Sequence, residues 1–121
     1  MFSFYRKMKW RYKRDRILNS GLLLALEFGK NLLQPIQERL GKLYPLLSEA
    51  ELDSYNEQCQ NAMKFGREEM LKIIDINRNS SDDLFNAQLD EFVVMYKLKF
   101  PWIEEKTFSR LYSQNIYYSM K

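Results

Sequence analysis

Histidine is absent from this chain of 121 residues. That removes the usual general base, the Ser-His and Cys-His nucleophile pairs, and most zinc and iron sites. Cysteine occurs once, as Cys59, so no intramolecular disulfide can form. Three prolines and four glycines are all that punctuate the chain. The glycines, Gly21, Gly29, Gly41 and Gly66, are scattered through helical segments and build no phosphate-binding loop. Long hydrophobic runs are missing too. The longest uninterrupted one, residues 21–26, falls far short of the roughly 20 residues that a bilayer span needs, and Glu27 and Lys30 break its continuation. No cleavable signal peptide is evident, and a cytoplasmic location is expected.

What is present points to helices. The composition is 45% hydrophobic and 29% charged, with few helix breakers, as in a helical globular protein. The length suits one domain. Residues 17–33 form the most apolar stretch, with Leu18, Leu22, Ala25, Leu26, Leu32 and Leu33 at helical spacing and Leu23, Leu24 and Phe28 widening the stripe. A helix apolar on so many sides is expected at the centre of the fold. The stripe continues through Ile36, Leu40 and Leu43, but Pro35 predicts a kink near residues 31–34, or a break with Pro35 opening a new helix.

Further along, Ser48 and Glu51 form a capping box that starts a helix. Leu52, Tyr55, Cys59, Ala62, Gly66, Met70 and Ile73 then mark one apolar side. After a turn at residues 79–81, Leu84, Phe85, Leu89, Phe92, Val93 and Tyr96 define another amphipathic helix, which Phe100-Pro101 stops. A last helix, from Glu104 to about Met120, carries Phe108, Leu111, Tyr112 and Ile116 on one face. The expected fold is therefore all-α: a single-domain bundle of four to five helices, mostly antiparallel, around a central apolar helix. The two inter-helix turns echo each other, an aromatic-Pro pair followed by two apolar residues: Tyr44-Pro45-Leu46-Leu47 and Phe100-Pro101-Trp102-Ile103. Leu46, Leu47, Trp102 and Ile103 are expected to be buried there. Gly29 and Gly66, each preceded by phenylalanine, are expected to face each other at a helix crossing.

Catalytic arrangements find little support. Cys59 lies on an apolar stripe and reads as a small core residue. The adjacent acids Glu68-Glu69, Asp82-Asp83, Asp90-Glu91 and Glu104-Glu105 diverge by about 100° on a helix and suit solvated faces or helix N-termini. No enzyme activity, cofactor or metal is expected. The polar side of the last helix, Lys106, Thr107, Ser109, Arg110, Ser113, Gln114 and Asn115, has the outline of a recognition helix, and equally that of a solvated face.

Charge is the sharper signal. Residues 1–16 hold seven basic side chains against Asp15 alone, a net of +6, so the remainder of this +3 chain carries −3. Residues 1–14 are read as a basic aromatic N-terminal arm, helical or loose, and residues 15–121 as the bundle. Within the arm, Arg6, Lys7, Lys9, Trp10, Arg11, Tyr12, Lys13 and Arg14 are the candidate residues for an anionic partner. Three partners fit: an acidic protein, single-stranded nucleic acid stacking on the rings, or an anionic membrane surface. The expected function is a non-catalytic interaction module. Because aromatics concentrate at both chain ends, the arm's rings are expected to pack against the last two helices, leaving its basic residues as a surface strip.

Overall fold

The computed structural model describes residues 2–27, 34–77 and 81–119, with side chains for residues 13–27, 34–77 and 81–117. These form α1 (Phe2–Ala25), α2 (Gln37–Leu43), α3 (Glu49–Ile76), α4 (Asp82–Lys99) and α5 (Glu105–Ser119), with no strand among the described residues. Together they make an all-α bundle around one continuous core. The basic aromatic segment is helical and continuous with the apolar part of α1.

The first helix ends sooner than its apolar stripe implies. It stops at Ala25 and does not run on past residue 33. Arg39 supplies the physical reason. Its Nη1 donates to the Leu24 carbonyl and to Glu27 Oε2, both at 2.8 Å, while Nη2 donates to the Pro35 carbonyl at 3.3 Å. The Leu24 carbonyl also accepts from the Glu27 amide at 3.2 Å, so one guanidinium adds a second, charged donor at the helix end and ties the far side of the break to it. Pro35 sits just outside α2, and the Ile36 amide donates to Asn56 Oδ1 at 3.0 Å.

The centre of the bundle is α3, not the more apolar α1. All four other helices pack on α3, against the one side that the sequence marks: Tyr55, Cys59, Ala62, Gly66 and Met70 are buried, and Asp53, Glu57, Lys64, Glu68 and Lys72 are exposed. Small residues explain the difference. Cys59, Ala62 and Gly66 form a low ridge on α3, all buried, and neighbouring helices come close against it. A Cβ on Gly21 of α1 would stand 2.8 Å from Cys59 Sγ, and one on Gly66 would meet Asn115, Leu111 and Tyr96 at 3.0 to 3.2 Å. Gly66 therefore does serve a helix crossing, with α4 and α5; its expected partner Gly29 lies outside the described residues. Among the described residues, no helix is long and apolar enough to cross a membrane.

The two aromatic-Pro turns adopt one conformation. Tyr44 has φ −130° and ψ 75°, Phe100 has φ −123° and ψ 69°, and each amide returns to the carbonyl four residues earlier. In each turn the residue three on donates back to the aromatic residue's carbonyl, Leu47 to Tyr44 at 3.2 Å and Ile103 to Phe100 at 3.1 Å. Burial differs. Leu47, Trp102 and Ile103 are half-buried on the core, whereas Leu46 is 94% exposed and overturns the expectation for it. An aromatic cluster of Phe65, Phe92, Tyr96, Phe100 and Phe108 fills the second turn's neighbourhood, with Tyr96 donating to the Ala62 carbonyl at 2.9 Å.

Candidate functional site

The helix caps show how the site is positioned. Ser48 Oγ accepts from the Glu51 amide at 3.1 Å, and Glu51 Oε1 accepts from the Ser48 amide at 3.0 Å, completing the capping box read from the sequence. That pins the start of α3 beside α1. Ser20 and the Tyr44 hydroxyl share a hydrogen bond of 2.9 Å, which fixes the first turn against α1.

Between α1, this turn and α3 lies a cleft of about 270 Å³. Ile17, Tyr44, Leu47 and Tyr55 line it with apolar surface, and Leu43 and Leu46 stand exposed along its edge. Its charged lining is Lys13, Arg14 and Glu51. Glu51 has its pKa lowered, first by the backbone hydrogen bond from Ser48, then by the Ser48 side chain, with the nearby Lys13 cation adding to the effect. Burial pushes the Tyr55 hydroxyl up, and the Glu51 charge adds to it. The cleft therefore sets Lys13 and Arg14, whose Nε lies 3.7 Å from Asp15 Oδ1, beside one carboxylate already engaged with its cap and two tyrosine rings.

Two of the eight candidate residues, Lys13 and Arg14, thus come together at a cavity. The other six, Arg6, Lys7, Lys9, Trp10, Arg11 and Tyr12, precede them on the same helix. Their side chains lie outside the described residues, as does the expected packing of the arm's rings. Sequence reasoning missed the apolar half of the cleft. The pair Leu46-Leu47 reads as core because two adjacent large apolar residues in a turn normally cap one; the cleft leaves the first in solvent.

The polar face assigned to the last helix also needs correction. Thr107, Gln114 and Asn115 are buried, and only Lys106, Ser109, Arg110 and Ser113 of that set are exposed. Asn115 turns inward because Gly66 leaves room for it. A recognition helix would lose three of its seven polar groups to the core.

Another missed residue is Asn19, 4% exposed on α1. Its Nδ2 donates to the Asp15 carbonyl at 2.8 Å and the Trp102 carbonyl at 2.9 Å, while its Oδ1 accepts from the Glu104 amide at 2.9 Å. Glu104 occupies in the second turn the place of Ser48 in the first. There the cap amide is taken by a local glutamate; here an asparagine from another helix takes it. A polar residue inside an apolar helical stripe was the available signal.

Among the described residues, no group of three or more cysteine or carboxylate side chains converges as a metal ligand set. Compared with known protein families, curated proteins and solved structures, the chain matches none of them.

Proposed function

We propose that this chain is a non-catalytic interaction module of the cytoplasm whose cleft receives an acidic segment of another protein, anchored by one apolar side chain. The observation that carries this reading is the junction itself: Lys13 and Arg14, late in a basic helical stretch, border a cavity with apolar walls. A cavity of that size takes one or two side chains, and apolar anchors in pockets supply most of the affinity of protein contacts. The cations select for acidic residues beside the anchor and steer their approach. A phosphate backbone would use the cations and leave the apolar walls idle, which is why protein is preferred over nucleic acid here.

The reading is tested by fluorescence anisotropy on the full chain. The probes are an acidic peptide with a central leucine, the same peptide with serine in its place, a single-stranded oligonucleotide of equal charge, and vesicles containing an anionic lipid. Binding of the leucine peptide should weaken at least about tenfold on loss of the leucine, and similarly in Lys13→Glu/Arg14→Glu, with the helical circular dichroism unchanged. Tighter binding of the oligonucleotide or the vesicles, indifferent to the cleft, would assign the basic helix to that partner and overturn the proposal.

A further inference from the structure

The outward face of α4 is apolar where the fold makes no use of it. Val94 and Leu98 are 61% and 77% exposed, and Met95 beside them is 39% exposed. Met95 carries this surface into a groove between α3 and α4, edged by Ile76, itself 69% exposed. Leu84, Glu91 and Leu98 recur every seven residues with Val94 and Met95 between them, the spacing of a helix-pairing seam. This stripe is distinct from the inward one of Leu89, Phe92 and Tyr96. Leu84 was expected on the inward stripe, yet it is 48% exposed and belongs to this one.

The charges along the face are ordered. Asp90 and Glu91 lie at the N-terminal end of the Val94, Met95 and Leu98 strip, and Lys99 at its C-terminal end. The Lys99 ammonium rests 3.9 Å from the centre of the Phe65 ring on α3, and the residue stays exposed beside Leu98. An acid, apolar, base order along one helix complements itself when a second copy runs antiparallel. A twofold axis through Met95 then sets Glu91 against Lys99 of the second copy, twice over, and lays the apolar strip on its counterpart. A parallel copy would set like charge against like. It would also leave Glu91, which lies within the seam, facing another Glu91.

We propose that this chain forms a twofold dimer by antiparallel pairing of α4 with α4 of a second copy. The surface is separate from the cleft between α1 and α3, so the dimer stands or falls independently of the function proposed for that cleft.

Sedimentation of the full chain from micromolar to millimolar concentration provides the test. Wild-type protein should pass from monomer to dimer. Leu98→Asp, a change at an exposed site, should remain monomeric with an unaltered helical spectrum. Glu91→Lys and Lys99→Glu should each weaken the dimer at least about tenfold, since each homodimer then holds two like-charge pairs. An equimolar mixture of these two variants should associate about as well as wild type, because in the mixed dimer every introduced charge faces its opposite. Wild-type protein that stays monomeric throughout overturns the proposal, as does a mixture that associates no better than its components.

Discussion

The Cys59 thiol is fully buried and donates to the Leu18 carbonyl at 3.3 Å, joining α3 to α1. Burial pushes its pKa from 9.0 up to about 12, so the nucleophilic and metal-binding thiolate is suppressed at neutral pH. The folded chain binds this proton more tightly than the unfolded one does. The associated stability is therefore complete below the unfolded value and is lost as pH rises through the folded value. The urea midpoint should accordingly be insensitive to this group up to about pH 9 and fall between there and about 12. Cys59→Ala should make the fall shallower without abolishing it, because burial also raises the Tyr96 hydroxyl. Native Cys59 should also react with iodoacetamide at least about 100-fold more slowly than the urea-unfolded chain; equal rates would contradict the burial. Asn19 makes a second residue-scale case. Asn19→Ala removes partners from the Trp102 carbonyl and the Glu104 amide together, so unfolding measurements should show a loss of about 2 to 4 kcal/mol. A loss below about 1 kcal/mol would mean that water replaces the side chain there.

Helix by helix, what could be read from the sequence was what neighbours in sequence decide. The Ser48–Glu51 capping box and the stops at Tyr44-Pro45 and Phe100-Pro101 all depend on residues within four positions of one another. Where α1 ends was not legible, because Arg39 acts on Leu24 across the break. The cap of α5 was not legible either, since Asn19 and Glu104 lie 85 positions apart. The centre was not legible for a related reason: apolar content favours α1, but small residues on the buried face of α3 let several neighbours come close to it. The glycines test this directly. Gly21→Ala would place a Cβ 2.8 Å from Cys59 Sγ and 3.1 Å from Ile36 Cδ1, and the Cys59 sulfur, one bond from its Cβ and bonded to Leu18, has little room to yield. A loss of about 1 to 3 kcal/mol is expected. Gly41→Ala in α2 meets only Leu52 Cδ atoms at 3.4 Å and beyond, so the helix preference for alanine should prevail, with a gain of up to about 1 kcal/mol. Equal effects at the two sites, measured by urea unfolding, would show that close approach of α1 to α3 is not what fixes Gly21.

Across the whole molecule, charge and packing divide the chain differently. The basic stretch and the core-forming stretch share one helix, α1, and meet at the cleft: Lys13 and Arg16 are exposed, and Ile17, Leu18 and Leu22 are buried. The composition revealed the basic end, and only the fold revealed that it leads to a cavity. If the cleft takes an acidic, apolar-anchored segment, the two parts of α1 should act on different steps of binding. Deleting residues 1–12 removes Arg6, Lys7, Lys9 and Arg11 and no acid, turning the net charge from +3 to −1. The cleft residues remain. Long-range attraction raises association rates, while an anchor in a pocket sets dissociation. Stopped-flow binding of the acidic leucine peptide at low salt should thus show an association rate about tenfold lower for the deletion, with dissociation changed less than about twofold. The gap in association should close near 1 M salt, where charges are screened beyond about 3 Å. Replacing the peptide's leucine by serine should do the reverse, speeding dissociation and sparing association. If the deletion speeds dissociation as much as it slows association, the first twelve residues are part of the contact, and the division of labour within α1 is wrong.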